Sequence, residues 1–282
     1  MAELTSPSVG IIIPARFGSS RFPGKPLELL RGADGIDRPL IEHSWRAASA
    51  VRNIRSVWIA TDDQRIAEVA GRFGGEVVMT PADCANGTER CAAAVSVRGD
   101  APDIIVNFQV DAPLTPETII GSLIDRLHSE EALAVATPAI RCSTDTYRHL
   151  LDDQQAGRVG GTTVVFDGAG HALYFSKRII PYVDDRTAPS TVPVYLHLGV
   201  YAYRRDALER YAGTPCSELE QLEGLEQLRF LHSGARVGVV VCDLPGWDVI
   251  EVNNPTDVPI VEAMLQRRGA IERSRTDATL RS

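Results

Sequence analysis

The sequence predicts an α/β fold with a mostly parallel sheet flanked by helices, and two observations support this. In residues 1–130, short apolar runs rich in β-branched residues alternate with segments whose apolar residues recur at helical spacing. That alternation is typical of a doubly wound parallel sheet. After residue 130, strand-like runs are separated by turn-rich stretches such as DGAG at 167–170, which indicates antiparallel additions to the sheet.

The first half begins with VGIII at 9–13, a continuous apolar run that predicts a strand buried on both faces. Polar residues and prolines mark its helix starts: Pro39 precedes one helix, Asp63 can cap another, and Thr115 stands before a proline that opens a third. We predict strands at 9–13, 56–60, 76–79 and 104–110, and helices at 39–52, 64–73, 89–97 and 115–127.

In the second half, Ser217 and Glu220 form a capping box that predicts a helix start. The polar tail over 271–282 is expected to fray. Because no long Pro, Gly or Ser linker interrupts the chain, we expect one two-lobed domain over 1–270, divided near residue 130. We predict strands at 133–139, 162–166, 172–175, 195–203 and 237–242, and helices at 217–231 and 257–268.

The composition excludes several functional classes. The 282 residues carry a formal net charge of −8, which argues against a general basic field that would recruit nucleic acid or an anionic membrane. Five cysteines without a C-x-x-C pair or a metal-ligand spacing indicate free thiols in a reducing compartment. No apolar run approaches 18 residues, and the N-terminus lacks signal-peptide features. We therefore expect a cytoplasmic protein.

The loop after the first strand combines cations with small residues. In an open α/β sheet ligands bind at the carboxyl ends of strands, where small residues let backbone amides approach a phosphate and Arg or Lys neutralises it. The loop matches neither GxxxxGK[ST] nor GxGxxG, so a solvated surface loop remains the alternative to a nucleoside-triphosphate site. Its residues of interest are Arg16, Gly18, Ser19, Ser20, Arg21, Gly24 and Lys25.

Asp111 follows the strongest strand signal of the chain, IIVNFQV at 104–110. A carboxylate at this strand end would face the same crevice as the cationic loop, where it could hold Mg²⁺ against a triphosphate. The alternative is a helix-capping aspartate. Gln109 lies two residues earlier, so on a strand it would share the face of Asp111 and could hydrogen-bond a ligand.

Six short stretches of the chain match motifs of a known family and follow one another in the family's order. They are PARFGSSRFPGKPL at 14–27, IATDD at 59–63, GTER at 87–90, ALYFSKRIIP at 172–181, HLGVYAY at 197–203 and LEQLR at 225–229. With these stretches the chain resembles the CMP-Kdo synthetases, also called 3-deoxy-manno-octulosonate cytidylyltransferases, over roughly residues 9–258.

This resemblance implies a glycosyltransferase-A-like fold, as in nucleotide-diphospho-sugar transferases, usually as a homodimer. Residues 9–130 would bind CTP and residues 131–270 would provide the acceptor and dimerisation surfaces. An oxygen of a small acidic acceptor would attack the α-phosphorus of CTP and release pyrophosphate, with Mg²⁺ as cofactor. The implied catalytic residues are Arg16, Arg21, Lys25 and Asp111, the last as metal ligand. The implied nucleotide-binding residues are Pro14, Ala15, Arg16, Ser20, Lys25, Asn86, Gly87, Thr88, Arg90 and Gln109.

The resemblance also implies acceptor binding by Gln109, His197, Tyr201, Glu226 and Gln227. The residues alone allow simpler interpretations. His197 in an apolar strand is typical of a core histidine, and Tyr201 is typical of packing. Glu226 and Gln227 would lie on an exposed helix face.

Two departures from the family pattern concern the metal. Where the family has QGDEP the chain has QVDAP, which places Val110 and Ala112 on either side of the metal-binding aspartate. Where the family has VDTPEDL, with that Asp as second metal ligand, the chain has VNNPTDV. Asn253 offers only a carbonyl oxygen there, so it is a doubtful ligand, and Glu251 or Asp248 could substitute.

A third departure replaces an NPNxVKV-type segment by RVGGTTV at 158–164, which removes a basic residue at Thr163. Together the changes favour a retained CTP site with an altered acceptor pocket. We therefore favour a small phosphonate such as phosphonoformate, because a phosphonate dianion is already a nucleophile. The alternatives are 3-deoxy-manno-octulosonate (Kdo), for lipopolysaccharide, and a catalytically silent relative that only binds nucleotide.

Overall fold

The computed structural model describes residues 7–19, 21–184 and 193–280. The chain forms two compact units, one of Met1–Ile120 with Leu244–Ser282 and one of Gly121–Asp243. We predicted that residues 244–270 belong to the second half of the chain. They return instead to the first unit.

The described strands are β1 (Val9–Ala15), β2 (Leu29–Arg31), β3 (Asp37–Pro39), β4 (Ser56–Thr61), β5 (Glu76–Met79), β6 (Ile104–Asn107), β7 (Val135–Arg141), β8 (Thr162–Phe166), β9 (Ala172–Ser176), β10 (Tyr195–His197), β11 (Tyr201–Arg204) and β12 (Val237–Val241). The described α-helices are α1 (Leu40–Ser49), α2 (Gln64–Arg72), α3 (Gly87–Arg98), α4 (Glu117–Ser129), α5 (Thr144–Gln155), α6 (Arg205–Gly213), α7 (Glu218–Glu223), α8 (Leu228–His232) and α9 (Val258–Leu280).

The first unit is built on a parallel sheet in the order β5-β4-β1-β6. β1 is buried along its whole length, as its apolar run predicted. It pairs with a neighbour on each side, Ile12 lying opposite Trp58 of β4 and opposite Asn107 of β6. Because the strands are parallel, the loops after β1 and β6 leave the sheet at the same edge. The prediction of a parallel sheet in this half is confirmed.

A hairpin of β2 and β3 follows the cationic loop and was not predicted. Each strand has three residues, too few for an alternating pattern to be read from the sequence. The acidic turn between them places Gly35 at a φ of 79°, in the left-handed region that favours glycine.

Helix α9 packs on this hairpin and runs past its predicted end. Glu262 Oε1 accepts a hydrogen bond from the backbone N–H of Arg31 at 2.8 Å. Gly269, which directly follows the predicted end of the helix at residue 268, lies inside it, where a Cβ would collide with the Cβ of Ala33. The glycine therefore permits close contact instead of ending the helix, and the backbone predicted to fray is helical through Leu280.

An apolar cluster explains why the C-terminal segment belongs to the first unit. It joins the cationic loop, the hairpin, α1 and the residues after 244, and the indole Nε1 of Trp247 donates to the carbonyl of Leu114 at 3.0 Å. Burial of such side chains is the dominant favourable contribution to folding. The buried members are Phe22, Leu30, Leu40, Leu114, Trp247, Val252, Val261 and Leu265.

The second unit is centred on β7, which pairs antiparallel with β10 and β11 and parallel with β12. β8 pairs antiparallel with β10 and β9. The antiparallel additions are confirmed, with β12 as a parallel exception. The predicted strand at 195–203 is two strands, and the predicted helix at 217–231 is broken at Gly224, whose φ is 60°. Helices α5 and α6 were not predicted.

All five cysteines are free. Among the described residues, no helix combines the length and hydropathy that a bilayer crossing needs.

Candidate functional site

The loop after β1 is closed by its own backbone. The carbonyl of Phe17 accepts hydrogen bonds from the N–H of Ser19 at 3.0 Å and from the N–H of Gly24 at 2.9 Å. Gly24 has a φ of 74°, and a Cβ there would lie 3.1 Å from the ring of Phe17. The turn sets Lys25 at the start of a short 3₁₀ helix. Ser20, a predicted nucleotide-binding residue, lies outside the described residues.

We expect Gly24→Ala to lower the free energy of unfolding by about 1–2 kcal/mol, since a Cβ is disfavoured in the left-handed region. The KM for CTP should rise several-fold because the cationic loop would be displaced. Gly18→Ala in the same loop is the matched control, because its Cβ would meet no atom within 4 Å. Equal effects of the two substitutions in chemical denaturation and steady-state kinetics would contradict the role of Gly24 in shaping the cationic loop.

A cavity of about 190 Å³ lies at the carboxyl edge of the parallel sheet, within the first unit. Ser20 is not described. Of the other predicted nucleotide-binding residues, all line the cavity except Thr88, which is fully buried. Ser19, Cys84 and Val110 line the cavity without having been predicted as site residues. The predicted residues that line it are Pro14, Ala15, Arg16, Arg21, Lys25, Asn86, Gly87, Arg90, Gln109 and Asp111.

Lys25 and Asp111 form an ion pair in this cavity. Lys25 Nζ lies 2.5 Å from Asp111 Oδ2, and the two side chains are only 12% and 19% exposed. β6 ends at Asn107, so Gln109 lies in the following loop and not on the strand as we predicted, and Asp111 lies further along the same loop. The cationic loop and this acidic loop nevertheless meet, as expected from the adjacency of β1 and β6.

The N-terminus of α3 forms another wall. Asn86 caps the helix, its Oδ1 accepting from the N–H of Glu89 at 2.8 Å, while Glu89 Oε2 accepts from the N–H of Ala85 at 2.8 Å. A Cβ on Gly87 would lie 2.8 Å from Gln109 Nε2, so the absence of a side chain keeps this wall close to the acidic loop. The amides at such a helix start favour anions.

The positive charge of Arg90 is less available to a ligand than the sequence indicated. Its guanidinium is buried, donates to Thr80 Oγ1 at 2.7 Å and lies 3.2 Å from Asp62 Oδ1. Because Asp62 offsets the charge, Arg90 fixes the wall of the cavity. The exposed cations of the site are Arg16 and Arg21.

The segment 251–253 lies against the acidic loop. The N–H of Val252 donates to the carbonyl of Asp111 at 2.8 Å. Burial and, second, the negative charge of Asp111 raise the pKa of Glu251 to about 7. Asp248, the other substitute considered from sequence, is exposed. Among the residues described here, no three His, Cys, Asp or Glu side chains form a metal-binding group.

The donor set still suits Mg²⁺, which is commonly held by one or two carboxylates together with substrate phosphates and water. Asp111 supplies one carboxylate in the cavity wall, and its partner Lys25 shows that a cation is accommodated there. The residues present therefore fit the ion that the sequence resemblance implied.

Four of the predicted acceptor residues lie in the second unit. His197 is 8% exposed, its Nε2 lies 2.8 Å from Thr137 Oγ1, and burial lowers its pKa to about 3. Tyr201 is buried and donates to Gln227 Oε1 at 3.1 Å. Gln227 is 2% exposed, and its Nε2 has no hydrogen-bond partner among the residues that the structure describes, so the exposed-face interpretation is wrong for it.

At most of the positions where the chain departs from the family pattern, the side chain is buried. Ala112 is 2% exposed, and Val110, although it borders the cavity, is 6% exposed. Thr163 is 1% exposed, donates to the carbonyl of Arg178 at 2.6 Å and accepts from the N–H of Ile180 at 3.2 Å. These positions pack into their units, which removes much of the reason for inferring an altered acceptor pocket.

The fold and the cation-lined cavity together define an α/β nucleotidyltransferase. A family model described as "Cytidylyltransferase" matches residues 10–237. The chain belongs to the cytidylyltransferase family.

The chain is similar to named cytidylyltransferases over nearly its full length. It is 42% identical over 264 residues to 3-deoxy-manno-octulosonate cytidylyltransferase from Maricaulis maris, covering 94% of this chain and 99% of the relative. It is 39% identical over 261 residues to 8-amino-3,8-dideoxy-manno-octulosonate cytidylyltransferase from Shewanella pealeana, covering 92% and 98%.

Solved structures agree. A CMP:2-keto-3-deoxy-manno-octonic acid synthetase complexed with CTP is 33% identical, with a TM-score of 0.79 over 93% of this chain and 99% of that one. A 4-diphosphocytidyl-2C-methyl-D-erythritol synthase from Anaerococcus prevotii, 14% identical with a TM-score of 0.54, shares the fold alone. The resemblance to CMP-Kdo synthetases and the predicted fold class are confirmed.

Proposed function

We propose that this protein transfers CMP from CTP to a 3-deoxy-octulosonate acceptor and releases pyrophosphate. The cation-lined cavity at the edge of the parallel sheet supports CTP as donor, since it gathers Arg16, Arg21 and Lys25 at a helix N-terminus. The relatives named above act on Kdo or its 8-amino form. The phosphonate acceptor that we favoured from sequence finds no support in these comparisons.

The cations have a physical role in this reaction. Negative charge builds up on the departing pyrophosphate, and fixed cations stabilise that charge without reorganising. Arg16 and Arg21 are exposed and can fold onto the phosphates, whereas Lys25 is already held in place by Asp111. Asp111 would hold Mg²⁺, which when bound neutralises phosphate charge and orients the chain of phosphates.

The second unit offers polar groups suited to a hydroxylated acid. Burial keeps His197 neutral, so one ring nitrogen remains a hydrogen-bond acceptor. The unpartnered Nε2 of Gln227 is a buried donor that a carboxylate or hydroxyl oxygen would satisfy. We also propose, as extensions of this function, that the protein is cytoplasmic, in line with its free thiols, and that it is a homodimer.

The proposal is tested by pyrophosphate release with CTP and Mg²⁺ against Kdo, 8-amino-3,8-dideoxy-manno-octulosonate and phosphonoformate. We expect turnover with at least one octulosonate and none with phosphonoformate. Turnover with phosphonoformate alone would instead support the phosphonate acceptor that we favoured from sequence. Nucleotide binding without turnover on any acceptor would instead support the silent relative.

A further inference from the structure

The backbone at 252–254 is fixed against the acidic loop by two sets of hydrogen bonds. The N–H of Val252 donates to the carbonyl of Asp111 at 2.8 Å. The N–H groups of Asn253 and Asn254 donate to Asp257 Oδ2 at 2.8 and 2.7 Å, closing a capping box. Because both ends of this stretch are tied down, its side chains have defined positions next to Asp111.

Both polar atoms of the Asn253 side-chain amide form hydrogen bonds. Its Oδ1 accepts from Arg21 Nη2 at 3.3 Å, and its Nδ2 donates to Glu251 Oε2 at 3.2 Å. An amide nitrogen does not ligate Mg²⁺, and the oxygen that could do so faces an arginine. The contacts of Asn253 are therefore those of a residue that links the cationic loop to Glu251.

Glu251 has the properties that Asn253 lacks. Its carboxyl group is partly buried and interacts electrostatically with Asp111, Lys25 and Arg21. One oxygen, Oε2, accepts from Asn253, whereas Oε1 has no hydrogen-bond donor within the described part of the chain. Asp111 and Glu251 together offer two carboxyl groups, a number that Mg²⁺ commonly takes beside substrate phosphates.

We propose that Glu251 supplies the second carboxylate of the Mg²⁺ site, and that Asn253 is a positioning residue that orients Glu251 between the metal and Arg21. The inference rests on the proposed cytidylyl transfer, which supplies the phosphates that complete the coordination. Relative to the VDTPEDL pattern, the second carboxylate would then lie two residues earlier in the chain.

The test measures Mn²⁺ binding to the CTP-loaded protein without acceptor, using the EPR signal of free Mn²⁺. We expect Glu251→Gln to raise the Mn²⁺ dissociation constant at least tenfold, the order expected when metal-site contacts are lost. Glu251→Gln combined with Asn253→Asp moves the carboxylate to position 253 and should restore the constant to within about threefold of the wild type. Asn253→Ala should weaken Mn²⁺ binding less than Glu251→Gln does.

Unchanged Mn²⁺ affinity in Glu251→Gln would overturn the inference, as would a larger loss in Asn253→Ala or no recovery in the double variant. Calorimetry of CTP binding in the presence of Mg²⁺ is measured in parallel. Failure of the wild type to bind CTP would refute the proposed function itself, whereas normal CTP binding with an unaffected Glu251→Gln would refute only the role of Glu251.

Discussion

Asp111→Asn is expected to lower kcat/KM for CTP by roughly a thousandfold, the upper end of the effect of removing one fixed electrostatic group. Asp111 is the acidic residue in the described lining of the cavity, and it carries the ion pair to Lys25 at 2.5 Å. The amide would leave the ammonium of Lys25 without its countercharge and would remove a Mg²⁺ ligand. Steady-state pyrophosphate release measures the loss.

Asp125→Asn is the matched control for that substitution, because Asp125 is exposed on α4 and outside the cavity. It should leave kcat/KM unchanged. Chemical denaturation of both variants separates loss of activity from loss of folded protein. An Asp111→Asn enzyme within threefold of the wild type would show that this carboxylate does not take part in CTP use.

Glu220→Gln is expected to lower the free energy of unfolding by about 3–5 kcal/mol, because it leaves a buried guanidinium without its carboxylate. Glu220 and Arg229 are joined by two hydrogen bonds of 2.7 Å, and their side chains are 7% and 5% exposed. The guanidinium carbon of Arg229 also lies 4.1 Å from the ring centroid of Tyr211. Urea unfolding followed by circular dichroism measures the change.

The effect has a defined pH dependence. Burial by itself raises the pKa of Glu220, but the hydrogen bonds to its carboxylate and the positive charge of Arg229 together outweigh burial and hold the pKa below its ordinary value of 4.5. A lowered folded-state pKa stabilises the protein fully above the unfolded value. The difference between wild type and variant should therefore be constant at neutral pH and shrink as the pH falls below about 4.5.

Glu218→Gln on the same short helix is the control, since Glu218 is exposed. Its cost should stay within about 0.5 kcal/mol, as for other surface substitutions. A Glu220→Gln protein as stable as this control would mean that the ion pair contributes nothing to the second unit.

The preference for a phosphonate acceptor, which the comparisons do not support, rested on motif changes whose surroundings the sequence does not show. Val110, Ala112 and Thr163 were interpreted as changes in an acceptor pocket because they interrupt family motifs. The structure buries all three, and Thr163 uses its hydroxyl on backbone groups of its own unit. A change in a family motif can thus reflect a difference in side-chain packing and give no information about the substrate.

Burial was the property that could not be read from local patterns. Gln227 stands in a polar-looking helix sequence, yet it is 2% exposed and accepts a hydrogen bond from the hydroxyl of Tyr201. Conversely, Gly269 looked like a helix end and is a point of close contact with Ala33. In both cases the neighbour that decides the outcome is distant in sequence.

The sequence by itself determined the parallel sheet, the cationic loop at its edge and the family, because buried strands, turn residues and short motifs are local signals. Only the tertiary structure decided that residues 244–280 return to the first unit and that the segment 251–253 lies against the loop of Asp111. The physical reason is the apolar cluster around Trp247 and Leu114, whose burial draws together segments that no local pattern connects.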